Sequence, residues 1–188
     1  MVAVPKNNTM KPSKENFNLS KVKLLPAGGL TAVYQLTEAQ DGDVSVTDYQ
    51  VTLSRIVHPD LKEKVAQLRS IVGRVFGVTS FLSFLEGERY PGMETARQFA
   101  DGLMNAYEVR GLSWSGSGER RGVVITALFK TDNGLKTALN TPCIKLASIS
   151  YGFEEELERI AGEITDEVFA YLFEGKQAQM SLFGQEEE

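Results

Sequence analysis

Few residues in this chain could do chemistry, and most of them stand alone. There is one histidine, His58, and one cysteine, Cys143. A single histidine excludes two-histidine metal sites and leaves little for a nucleophile with its base. A single cysteine removes an intramolecular disulfide and any cysteine cluster for zinc or iron. His58 precedes Pro59 and Asp60, the order of a residue that opens a helix rather than of a catalytic base. Carboxylates crowd the end of the chain as Glu154, Glu155, Glu156, Glu158, Glu163, Asp166 and Glu167. Metal ligands converge from different elements, whereas these fall on one helical stretch. They read as its solvated face, and a carboxylate-and-metal nuclease is the weaker alternative. Two constellations suit nucleic acid. Trp114, beside the Gly/Ser-rich stretch 115–118 and the adjacent Arg120 and Arg121, offers a ring to stack on a base and guanidinium groups to clamp a phosphate. Lys11, Lys14, Lys21 and Lys23, in a leading stretch whose only acid is Glu15, can meet phosphates electrostatically. The glycines at 116 and 118 follow neither the dinucleotide nor the Walker spacing, so no cofactor is expected; no metal is expected either, and the chain is read as non-enzymatic.

The last residues carry a different kind of signal. Gln179, Met180, Ser181, Leu182 and Phe183 are followed by Gly184, Gln185 and Glu186, Glu187 and Glu188. Apolar side chains in a polar tail are costly as structure, yet they are what a docking peptide needs: anchors for a pocket, flanked by groups that stay wet. The pentapeptide resembles the motif, usually Gln-Leu-Ser/Asp-Leu-Phe, by which bacterial and phage DNA polymerases, repair factors and other replication proteins hold the ring-shaped DNA sliding clamp. The resemblance implies that Gln179 hydrogen-bonds in a small polar subsite, that Met180 replaces the usual Leu, and that Leu182 and Phe183 fill the main hydrophobic cleft. Met is unbranched and adaptable, so that departure is mild. The alternative is that Leu182 and Phe183 fold back onto the domain or extend the preceding helix. The small size, acidic tail and mixed body also resemble phage proteins of the DNA-metabolism type, although the body matches no characterised family. The function so implied is an accessory protein of DNA replication or recombination that docks on the sliding clamp. A single-stranded-DNA-binding protein, its acidic tail doubling as partner hook and DNA mimic, is the other reading.

With 188 residues, 42% hydrophobic and 24% charged, the chain is long enough for one sizeable core. No apolar run approaches the roughly 18 residues needed to cross a bilayer. The start lacks the charged-then-apolar order of a secretory signal, so a cytoplasmic protein without a membrane partner is expected. The net charge of −5 hides an asymmetry: residues 1–23 are basic, and residues 151–188 carry eleven acids against Arg159 and Lys176. An acidic tail can occupy a basic surface until DNA displaces it.

The elements that must position these groups follow from periodicity. Residues 1–22, with scattered lysines, asparagines and prolines, show neither period and read as a flexible basic arm. Residues 23–175 read as a single α+β domain and 176–188 as the acidic tail. Within the domain, 30–37 and 44–57 form a hairpin turned at 40–43. Leu61, Val65, Leu68, Val72 and Val75 mark a helix. The apolar run 77–85 fits a buried helix or a buried strand. Met93, Ala96, Phe99, Ala100, Leu103, Met104 and Tyr107 mark a helix with a core face. Residues 109–114, 122–130 and 135–142 form a meander whose second turn, Asp132-Asn133-Gly134, has strong hairpin chemistry. A helix over 153–174 buries Phe153, Leu157, Ile160, Ile164, Val168, Tyr171 and Leu172. The strands are expected to meet in one antiparallel sheet covered by helices on one side.

Overall fold

In a computed structural model, the structure describes residues 12–40, 43–131, 133–147 and 152–176. They form an α+β fold. The strands are β1 (Phe17–Leu24), β2 (Leu30–Gln40), β3 (Asp43–Leu53), β4 (Tyr107–Ser115), β5 (Gly122–Lys130), β6 (Lys136–Asn140) and β7 (Ile144–Lys145). The helices are α1 (Pro59–Val75), α2 (Val78–Gly87), α3 (Met93–Ala106) and α4 (Glu154–Phe173). The sheet is antiparallel in the order β3-β2-β1-β4-β5-β6, with β7 also paired to β5.

Its centre is β1, which corrects the reading of residues 1–22 as a flexible arm. From Phe17 onward the chain lies between β2 and β4, paired Val22 to Ala32 on one side and Val22 to Leu112 on the other. Phe17, Leu19 and Val22 are buried. A bulge between Leu19 and Lys21 shifts the side-chain alternation by one residue, which is why the segment shows no clean period of two. Two further corrections concern ends. Strand β3 stops at Leu53 rather than running to Val57, and Tyr107 opens β4 instead of closing the helical face of α3.

One face of the sheet is covered. Leu30, Ala32, Tyr34, Leu112, Val123 and Ile125 pack against Leu61, Leu68, Ile71 and Val72 of α1 and Leu157, Ile160, Ile164 and Val168 of α4, all within one core. The two helices run antiparallel, as two ion pairs between them and one from the residues just beyond α4 show: Lys64 Nζ to Glu163 Oε2 at 2.6 Å, Arg74 Nη1 to Glu156 Oε2 at 2.8 Å and Lys176 Nζ to Asp60 Oδ2 at 2.8 Å. The acidic side of α4 is therefore largely a pairing surface rather than a plain solvated face, since Asp166 also meets Lys14 at 3.0 Å. An aromatic cluster of Phe17, Tyr34, Phe169 and Phe173 closes the sheet against the C-terminal end of α4, with ring centroids 5.1 to 5.9 Å apart.

The run 77–85 is a helix, and the α2–α3 pair departs from the expected burial. Phe81, Phe84 and Phe99 are exposed, at 51%, 62% and 62%, so the stripe containing Phe99 is core at Ala100 and at Tyr107, beyond the helix end, and in part at Leu103 and Met104. Among the described residues no single helix is long and apolar enough to cross a membrane.

Candidate nucleic-acid interface

Strand pairing decides which residues share a surface, because side chains directly opposite one another in an antiparallel ladder point to the same face. Lys21 is level with Val33 on β2 and Ser113 on β4, and Lys23 with Thr31 and Gly111. Those residues alternate with the buried set, so both lysines stand on the face opposite the helices. Around them the open face is polar and cross-linked. Thr31 and Thr52 hydroxyls lie 3.2 Å apart, Gln35 Nε2 donates to Asp48 Oδ1 at 2.8 Å, and Thr126 Oγ1 donates to Asn140 Oδ1 at 2.9 Å. At Gly111 the β1 backbone leaves no room for a side chain: a Cβ there would lie 2.0 Å from the Val22 carbonyl oxygen.

Trp114 is on the other face. It pairs with the buried Val123 and packs in part against the core, and the Arg121 guanidinium lies 4.0 Å from its ring centroid. That cation–π contact occupies the ring face that a base would stack on. Arg120 ends a short 3-10 turn, Gly118–Arg120, and is exposed. The structure thus joins Trp114 to Arg121 and Lys21 to Lys23 but separates the two groups across the sheet. Lys14, in the turn before β1, pairs with Asp166. Lys11 and the pentapeptide Gln179 to Phe183 lie outside the described residues.

The same alternation sorts every aromatic side chain in the strands. Phe17, Tyr34, Tyr49, Tyr107, Trp114 and Phe129 each pair with a residue of the helix-side set or with one another. Among the described strand residues the open face therefore carries lysines, hydroxyls and amides together with Asp48 and the valines Val33, Val44 and Val46, but no ring, so Lys21 and Lys23 can offer phosphate contacts without base stacking.

His58 is the N-cap of α1, its Nδ1 accepting from the Asp60 backbone N–H at 3.3 Å. Asp60 itself is held below the usual carboxylate range, first by its hydrogen bond to Lys176 and then by the nearby His58 and Lys176 charges. Among the described residues no group of three or more His, Cys, Asp or Glu side chains is placed to hold a metal ion.

Sequence reasoning missed a second polar cluster. At the start of β4, Glu108 accepts from Arg110 Nη2 and, at 2.6 Å, from Lys130 Nζ. These contacts, the Lys130 hydrogen bond foremost, hold its carboxyl below the ordinary range. A bulge between Val109 and Gly111 places Arg110, and the only sequence signal for it is a glycine interrupting an alternating strand. Lys176 was also missed as an anchor. Assigned to the tail, it instead bonds Glu167 and Asp60, while Gly175 at φ 75° turns the chain and the Lys176 N–H donates to the Ala170 carbonyl at 3.1 Å. The helix is closed there by a left-handed glycine cap.

No family model, no curated protein and no solved structure matches this chain.

Proposed function

We propose that this protein is a non-enzymatic accessory factor of DNA replication or recombination that tethers itself to the DNA sliding clamp through Gln179, Met180, Ser181, Leu182 and Phe183. The sequence of that pentapeptide carries the reading. The close of α4 supports it: the helix ends at Phe173, Gly175 caps it, and Lys176 is pinned to Asp60 and Glu167. The motif thus begins three residues beyond a finished, anchored element. Leu182 and Phe183 supply most of the binding energy, as the side chains large and apolar enough to be fully desolvated in a pocket, and Gln179 adds a polar contact.

The test is binding of a labelled peptide covering residues 176–188 to a bacterial sliding clamp. The expected dissociation constant is on the order of micromolar, about −8 kcal/mol, a level suited to a short segment that must order on binding. Replacing Leu182 and Phe183 together with alanine abolishes it, whereas neutralising Glu186, Glu187 and Glu188 changes mainly the salt dependence and on-rate. No binding at hundreds of micromolar, or equal binding by the double variant, rules the reading out.

The side-by-side placement of Lys21 and Lys23 on the open face favours a second reading, contact with single-stranded DNA through its phosphates. The logarithm of the affinity for an oligothymidine should then fall linearly with the logarithm of salt concentration, and the slope should shrink by about 0.7 for each of Lys21→Gln and Lys23→Gln. A slope unchanged in both variants would remove it.

A further inference from the structure

A cavity of about 270 Å³ opens where the β1–β2 turn, the first half of α1 and the start of β4 meet, lined by Pro26 and Gly28, by Lys62 and Arg69, and by Glu108 and Arg110. Three of these side chains are cations. The one carboxylate, Glu108, already has an oxygen engaged by Arg110 and the other by Lys130. Arg69 reaches Asn105 through Nη1 at 3.3 Å and Arg110 reaches Glu108 through Nη2, yet the Nε atoms of both arginines are buried and make no hydrogen bond. A buried donor with no acceptor costs on the order of 1–3 kcal/mol, and more for a charged group, and both arginines that line the cavity carry one such Nε donor without a protein partner. Arg110 is placed there by the bulge in β4 and is only 15% exposed, which makes its position a property of the sheet rather than of a free surface chain.

From this we infer that the cavity is a binding site for a phosphate-class oxyanion. Guanidinium Nε and Nη groups together form the fork that grips two oxygens of one phosphate. Turning each guanidinium toward the cavity would bring Nε to such an oxygen, and the exposed Lys62, which also lines the cavity, supplies a third cation. A tetrahedral oxyanion has enough oxygens to accept from three side chains at once, whereas the two oxygens of a carboxylate suit a single fork. The volume exceeds the roughly 30 Å³ share of one water several times over, enough for a phosphate with an attached ester. The inference goes beyond clamp docking and stands without it. The phosphate can be free in solution or part of a nucleic-acid backbone.

The experiment follows the arginine Nε–H resonances of the full-length protein by 15N NMR during titration with sodium phosphate, with sodium chloride at matched ionic strength and with an oligothymidine. The Arg69 and Arg110 signals are expected to shift along one saturable curve with phosphate, at a dissociation constant of about 1 mM or tighter, and not with chloride. Arg69→Gln and Lys62→Gln should each weaken binding about tenfold, the effect of one charge-assisted hydrogen bond. Arg159→Gln, on the exposed side of α4, should leave it unchanged. Lys62 is exposed, so its variant keeps the test open if an arginine variant fails to fold. A shift with phosphate identifies the free anion as sufficient, and a shift with the oligonucleotide alone assigns the site to a backbone phosphate. No shift with either, or an equal shift with chloride, overturns the site. Because neither probe involves residues 177–188, loss of this site and loss of clamp binding are separate results.

Discussion

Glu108 shows how a single carboxyl can tie a strand start to its neighbour. Its folded-state pKa is depressed by Lys130 and Arg110, so its contribution to stability is present above the unfolded carboxyl value of about 4.3 and is lost as pH falls through the lower folded value. Thermal melting at descending pH should therefore show a steeper loss below about pH 4.3 in the parent than in Glu108→Gln, with the variant already the less stable at pH 7. An identical acid limb in both proteins would mean that the Glu108 pairs contribute nothing. At this scale the sequence was partly readable. The capping role of His58 follows from Pro59 and Asp60 beside it, and the nearness of Trp114 to Arg121 follows from a hairpin that folds them together. That Trp114 and Lys21 face opposite ways was not readable, because it depends on β1 lying against β4, a pairing that no local pattern announces. The Arg69–Arg110 cavity was hidden for the same reason, built from a bulge, a turn and a helix that are distant in the chain.

The elements divide into those whose pattern was clean and those whose pattern was broken. Helices α1 and α4 and strand β5 bury the residues their periods select, because each has one face in the core and another turned away from it. Strand β1 was lost because its bulge changes the phase of its alternation midway and half its residues are polar. Helix α2 was ambiguous because an apolar run carries no phase. Exposed phenylalanines in the α2–α3 pair show that a hydrophobic period reports amphipathicity without guaranteeing a partner within the chain. These differences predict unequal sensitivity. Leu157→Ala, at a fully buried position of α4, should cost about 2–5 kcal/mol in denaturant unfolding. Phe84→Ser, at an exposed position of α2, should stay within about 0.5 kcal/mol. A large loss at Phe84 would show that the pair is buried in solution, as by self-association, and the midpoint would then depend on protein concentration.

For the molecule as a whole, the anchoring of Lys176 sets the boundary between body and tail. Truncation after Lys176 should move the melting temperature by less than about 2 °C, the lower end of the effect of about 1 kcal/mol for a domain of this size. Truncation after Glu174, which removes the glycine cap and the bonds to Asp60 and Glu167, should melt lower than that. If both truncations melt alike, the Lys176 contacts are not structural. At the other end, the place of β1 in the sheet governs how the protein can be made. Its partners are β2, next along the chain, and β4, some ninety residues later, where Lys21 meets Ser113. On a ribosome the strand emerges first and is completed late: β1 can form a ladder with β2 within moments, but its other edge stays bare until residue 115 has left the exit tunnel. Through that interval the nascent chain presents an unpaired strand edge, the feature most prone to pair with another chain. Such a distant pairing also places the refolding rate among the slow, nonlocal topologies, in the range of milliseconds to seconds.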